Sequence, residues 1–115
     1  MKKIGIIGSG ISCLFIDNLF KENPNYQLSI FEKKHSLELE EGYGIQLSTN
    51  CIKLLNKIEF NGIEKMEKFN PEKIDFYEIE NQKKISDLNI SEYNSEDCKY
   101  TTMKRSILVL SLIHI

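Results

Sequence analysis

Lys3-Ile4-Gly5-Ile6-Ile7-Gly8-Ser9-Gly10-Ile11-Ser12-Cys13, followed by Ser29-Ile30-Phe31-Glu32-Lys33-Lys34, is the stretch that decides the fold. Ile4, Ile6 and Ile7 read as an apolar strand that runs straight into Gly8-Ser9-Gly10. From Ile11 the apolar residues Leu14, Phe15 and Leu19 recur at helical spacing, and Asn23-Pro24-Asn25 ends the helix. Leu28, Ile30 and Phe31 then form a second strand that stops at Glu32. Gly8 permits a tight turn, Gly10 lets the backbone approach a pyrophosphate, and the helix start turns free N–H groups and a positive end toward the phosphates. A carboxylate at the end of the second strand accepts hydrogen bonds from ribose hydroxyls. The order of glycines, helix and terminal acid predicts an α/β dinucleotide site.

Two residues depart from this pattern. Cys13 stands where a third glycine is usual, and Asp17, one turn later, stands where a small residue packs on the sheet. Cysteine is small and commonly buried. A buried, unpaired carboxylate is expensive, so Asp17 is expected to reach the surface or find a partner, unless it is an error in the sequence.

Composition removes several other classes. The 115 residues carry a formal net charge of −2, and lysine outnumbers arginine fourteen to one. Alanine is absent, which reads as codon bias, and no basic patch is dense enough for nucleic acid. Cys13, Cys51 and Cys98 are scattered, odd in number and without metal-ligand spacing, as expected in a reducing cytoplasm. Lys2-Lys3 with the following apolar run, and Ser12-Cys13, imitate a lipoprotein signal. Gly5, Gly8 and Gly10 interrupt that run, and a strand-helix-strand pattern continues beyond it. No stretch is long and apolar enough to span a membrane.

Further along, Leu37-Glu38-Leu39-Glu40-Glu41 reads as a solvated loop or short helix. Gly42-Tyr43-Gly44-Ile45-Gln46-Leu47 is a second glycine-punctuated segment, with Tyr43 expected in an ordinary packing role. Ser48 or Thr49 is placed to cap a helix carrying Cys51, Leu54, Leu55 and Ile58 on one face, with Asn61-Gly62 as its stop. Alternation from Lys73 to Ile90 around Asn81-Gln82-Lys83 predicts a β-hairpin, and Ser91 to Lys99 reads as loop. Thr101 or Thr102 is expected to cap a final helix holding Met103, Arg105, Leu108 and Val109. His35 and Cys98 are expected in loops and Cys51 in the core.

Three motifs together resemble the class A FAD-dependent monooxygenases, the family of para-hydroxybenzoate hydroxylase. They are Gly8-Ser9-Gly10-Ile11-Ser12 with Phe31-Glu32-Lys33, Gly44-Ile45-Gln46-Leu47-Ser48-Thr49-Asn50, and Lys104-Arg105-Ser106-Ile107-Leu108. The resemblance implies a Rossmann-like FAD-binding fold with a glutathione-reductase-type βαβ start, joined to the first β-hairpin of a substrate domain. Its divisions would be an FAD-binding region over 1–70, the start of a substrate-domain sheet over 71–100, and a returning helix over 101–115. It further implies that Gly8, Ser9, Gly10, Ile11 and Ser12 meet the pyrophosphate and that Glu32 and Lys33 meet the ribose. Gly44 and Ile45 would lie near the flavin, and Arg105 would anchor its phosphate-ribityl region. NADPH or NADH would supply electrons, O2 the oxygen atom, and a small aromatic molecule the substrate. NADP as the ligand of the first site is disfavoured, because Glu32 would repel its 2′-phosphate.

The family's later Gly-Asp motif has no counterpart here, so the chain is expected to be an N-terminal fragment without turnover of its own. Leu110-Ser111-Leu112-Ile113-His114-Ile115 also reads like the translation of a transposon end used in library preparation, which would put the natural sequence's departure near Val109 and leave His114 without a role. Rival readings are another flavoprotein of the superfamily (reductase, halogenase or cyclase), an NAD-binding module without flavin, and a folded remnant with no ligand.

Overall fold

The computed structural model describes residues 1–36, 42–63 and 67–114. Strands β1 (Lys2–Ile7) and β2 (Tyr26–Phe31) pair in parallel, Ile4 beside Leu28 and Ile7 beside Phe31, and helix α1 (Ile11–Phe20) connects them. The return from α1 is an Asx turn: the Asn25 N–H donates to Asn23 Oδ1 at 3.0 Å, and the Lys2 N–H closes on the Asn25 carbonyl at 2.8 Å. The loop expected over Leu37 to Glu41 lies outside the described residues.

The chain resumes in β3 (Gly44–Leu47) and α2 (Thr49–Leu55), then winds through two 3-10 turns, Asn56–Ile58 and Phe60–Gly62, to β4 (Lys68–Phe69). Ser48 takes the cap position of α2, but its hydroxyl turns to the Asn50 side chain and to Cys51 Sγ rather than to a backbone N–H. The buried face is Ile52, Leu55 and Ile58, while Leu54, expected inside, is 49% exposed. Leu54 follows Ile52 by two residues, roughly 200° around the helix, so a face that buries Ile52 and Leu55 turns Leu54 outward. The residue that redirects the chain is Glu59, at φ 64°, ahead of the expected stop at Asn61-Gly62.

The hairpin forms as β5 (Lys73–Tyr77) and β6 (Lys84–Asn89), with a bulge beside Phe76 and Tyr77. Asn81 shapes its turn, accepting the Lys83 N–H at 2.8 Å, and Gln82 takes a positive φ of 56°. A 3-10 turn, Ile90–Tyr93, follows.

The largest departure from expectation is at Thr101–Lys104. These residues are not the start of a helix but a strand, β7, central in the sheet order β3-β7-β4 and antiparallel to both neighbours. Thr101 and Met103 are buried, so alternation and β-branched threonines suit a strand with partners on both edges. Helix α3 (Arg105–His114) then begins directly from β7, leaving Met103 outside it.

One core joins these pieces. Leu14 of α1, Leu47 of β3, Ile52 and Leu55 of α2, Met103 of β7, and Leu108, Val109 and Leu112 of α3 form a single buried cluster. The half-buried Asp17 is not the polar residue inside α1; its neighbour Asn18 is. The Asn18 amide donates to the Leu14 carbonyl at 2.8 Å and to the Leu112 carbonyl at 2.7 Å. Leu112 lies in the last turn of α3, where carbonyls have no intrahelical donor, so Asn18 supplies one from another helix. The molecule is elongated, 58 × 33 × 24 Å. Its radius of gyration of 17.3 Å exceeds the ~13 Å of a compact domain this long. Among the described residues no helix is long and apolar enough to cross a membrane.

Candidate functional site

The parallel register of β1 and β2 ends both strands at one level, which sets the glycine turn beside Glu32. Gly8 has φ +102°, a conformation that side chains disfavour, and its N–H donates to the Phe31 carbonyl at 2.7 Å. Cys13, in place of the third glycine, fits: its Sγ lies 3.8 Å from the Ile7 carbonyl and 3.7 Å from where a Cβ on Gly8 would sit. Gly10 differs from Gly8. Its φ of −70° suits any residue, and a Cβ there would meet nothing within 4 Å. Among the described residues neither backbone nor packing requires glycine at this position, which leaves room for a group from outside to come close.

Gly10 also begins α1 without a capping side chain, and the first turn holds no acidic residue. The first backbone bond of the helix runs from the Leu14 N–H to the Gly10 carbonyl, so the N–H groups of Ile11, Ser12 and Cys13 are not spent inside the helix. Ser12 is exposed, while Ile11 turns its side chain to the core and offers only its backbone.

Glu32 is exposed and tightly held. Its Oε2 accepts from the Ser9 N–H at 2.9 Å and from Ser9 Oγ at 2.8 Å, and its Oε1 accepts from the Lys34 N–H at 3.0 Å. These donors, the Lys34 N–H foremost, then the Ser9 hydroxyl and the Ser9 N–H, lower its pKa from 4.5 to about 2, with a smaller pull from the Lys33 N–H. The carboxylate is thus charged at any physiological pH. Lys33 sits in the exposed turn after β2. Sequence reasoning missed the bonds from Ser9 to Glu32. The signal was available in the aligned strand ends, since pairing Ile7 with Phe31 carries Ser9 toward Glu32.

The second and third motifs also meet. Gly44 pairs with Lys104 and Ile45 with Met103, and the Arg105 N–H donates to the Tyr43 carbonyl at 3.3 Å. A Cβ on Gly42, whose φ is +78°, would sit 3.4 Å from Arg105 Cδ. Gly42 is therefore the glycine this segment's conformation needs; at Gly44 a Cβ would make only an ordinary contact, 3.8 Å from the Met103 carbonyl. Ile45 packs its side chain on the core, so β3, an edge strand, presents backbone groups rather than that side chain. Tyr43, expected to pack, is 95% exposed. The first motif reaches this region through α1, which packs on α3. A cleft of about 750 Å³ between Asn56, Phe60, Lys68, Asn70 and Lys99 includes none of these residues.

No family model and no curated relative matches the sequence. Solved structures do match the fold. Klebsiella pneumoniae HpxO complexed with FAD and uric acid superposes over 97% of this chain with a TM-score of 0.75 at 13% identity. The tetrameric form of 2-methyl-3-hydroxypyridine-5-carboxylic acid oxygenase superposes over 99%, with a TM-score of 0.79 at 19% identity. 2,6-Dihydroxypyridine-3-hydroxylase from Arthrobacter nicotinovorans superposes over 96%, with a TM-score of 0.66 at 13% identity. The chain spans 28%, 28% and 25% of their respective lengths. At these identities the likeness establishes a shared α/β fold.

Proposed function

We propose that this chain is the FAD-binding N-terminal part of a flavin-dependent monooxygenase that uses NAD(P)H and O2 to hydroxylate a small aromatic substrate. The carrying observation is the charged Glu32 fixed beside a glycine turn in which nothing among the described residues requires Gly10 to be glycine. That pairing fits the adenosine ribose and pyrophosphate of a dinucleotide, and the neighbours held with FAD or named as oxygenase and hydroxylase favour a flavin. In this reading β1-α1-β2 is a Rossmann-like unit of the glutathione-reductase type, and β5–β6 begins the substrate domain's sheet.

The residues divide the work. Gly8 shapes the turn, while Gly10 and the N–H groups of Ile11 and Ser12 meet the pyrophosphate. Glu32 accepts from the ribose, with Lys33 beside it. Gly44 and Ile45 offer backbone groups of the edge strand to the flavin ring, and Arg105, with a planar, multi-donor group, anchors the phosphate-ribityl region. Bound flavin supplies the redox chemistry and oxygen activation. The protein's part is to orient the ring and exclude water.

Titration with FAD tests the reading. Glu32→Ala is expected to weaken binding by roughly ten- to a hundredfold, the loss of charged hydrogen bonds to a ribose. An unchanged dissociation constant would remove Glu32 from the site.

A further inference from the structure

We propose that the Ser9 hydroxyl competes with a ribose hydroxyl for Glu32, and so sets how strongly this site distinguishes a ribonucleotide from its deoxy form. The proposal rests on the nucleotide reading above and gives Ser9 a role separate from phosphate contact.

A carboxylate has about four acceptor positions. Three are in use: Oε2 holds both the Ser9 N–H at 2.9 Å and the Ser9 hydroxyl at 2.8 Å, and Oε1 holds the Lys34 N–H at 3.0 Å. Oε2 is therefore full, and with the weaker pull of the Lys33 N–H on the carboxylate at most one place is left on Oε1. A ribose diol that donates to both oxygens needs one present donor to leave. Two of the three are backbone groups. The Ser9 N–H belongs to a turn pinned by the bond from Gly8 to Phe31, 2.7 Å long, on one side and by the start of α1 on the other. The Lys34 N–H lies in the turn two residues after Glu32. Only the hydroxyl can leave by a single side-chain rotation, which is fast and disturbs no other hydrogen bond.

The exchange replaces one O–H···O⁻ bond by another. When a nucleotide lacks one ribose hydroxyl, Ser9 keeps its bond and the carboxylate stays satisfied, so the missing group is felt weakly. Without the Ser9 hydroxyl nothing substitutes for the ribose, and the same deletion in the ligand is felt in full. Ser9 is thus a positioning residue with a specificity effect.

The test is a cycle between protein and ligand. Dissociation constants of ADP, 2′-deoxy-ADP and 3′-deoxy-ADP are measured by titration for the unsubstituted protein, Ser9→Ala and Ser9→Thr. The larger of the two deoxy penalties is expected to grow roughly three- to tenfold in Ser9→Ala, up to about one charge-assisted hydrogen bond, and to return in Ser9→Thr, which keeps the hydroxyl. Carbon-13 NMR titration of the Glu32 carboxyl, without nucleotide, is expected to show its midpoint rising from about 2 toward 4.5 in Ser9→Ala. Equal weakening of all three ligands by Ser9→Ala would make Ser9 a mere prop of the turn and overturn the proposal. So would an unmoved carboxyl midpoint. ADP binding that Glu32→Ala abolishes, with an unchanged deoxy penalty in Ser9→Ala, would overturn this proposal alone; failure of ADP to bind the unsubstituted protein would remove the nucleotide reading and this inference with it.

Discussion

The interior around α3 and the β5–β6 hairpin both carry large apolar side chains, yet these end in opposite environments. Leu108 has no exposed surface, and Val109 and Leu112 are nearly as well covered. On the hairpin, Phe76 is 49% exposed, Ile85 and Leu88 also face outward, and every residue of β6 is exposed. The difference is in neighbours: α3 is surrounded by α1, β7 and the rest of the shared core, whereas among the described residues β5 and β6 pair only with each other. Periodicity makes an element; only other elements bury it. A lone two-stranded hairpin is marginal in water, and here charges help to hold it. Asp75 stands opposite Asp87, a repulsive pairing, and Lys84 bridges them at 3.1 and 2.8 Å, with Lys73 adding a contact to Asp75 at 3.4 Å.

The contrast is most severely tested at Leu108. Leu108→Ala removes a fully buried side chain from the centre of the cluster and is expected to cost about 2–5 kcal/mol in chemical denaturation. A loss below about 1 kcal/mol would mean that α3 is not anchored there.

Acid should separate the two regions without mutation. Hydrogen bonding to Lys84, with help from Lys73, holds the Asp75 pKa below 3.8, and Asp87 and Asp75 raise that of Lys84 above 10.5. A depressed carboxyl stabilises the folded form above its unfolded value, and that contribution fades as pH falls below 3.8 through the folded value. Lys84, raised, contributes below 10.5 and loses its contribution only as pH climbs through its folded value. Amide exchange in β5 and β6 is therefore expected to quicken below pH 3.8 while α3, held by apolar packing and the neutral Asn18 amide, stays protected. Equal loss of protection in both would show that the ion pairs are not what distinguishes the hairpin.

The smallest expected effect is on the hairpin's apolar side. Phe76→Ser should change stability by no more than about 0.5 kcal/mol, because half of that ring already meets water. A thermal or denaturant shift several times larger would reveal a covering layer and collapse the contrast with Leu108.

Much of the architecture was legible in short-range pattern. The strand from Ile4 to Ile7, the helix from Ile11, the strand closing at Glu32 and the hairpin around Asn81 all form as periodicity and turn chemistry predict. Thr101 to Lys104 was not legible, because four residues with two threonines fit a helix cap as well as a strand; two antiparallel neighbours from distant segments decided it. Leu54 was misread because the core lies on the Ile52 side of α2, a choice made by the elements packed against the helix and not by its own period.

By itself the sequence determined the local frame: Gly8 where φ must be positive, Gly10 at the helix start and an acid at the end of the second strand. These follow from backbone sterics and from spacing along the chain, which no distant contact alters. Only the tertiary structure decided that Ser9 holds Glu32, that Gly42 meets Arg105, and that Asn18 completes the end of α3. Each of those depends on where a donor or side chain lies relative to a partner from another segment. Hydrogen bonds and close contacts act over a few ångströms, a separation that chain position cannot specify until the elements have packed.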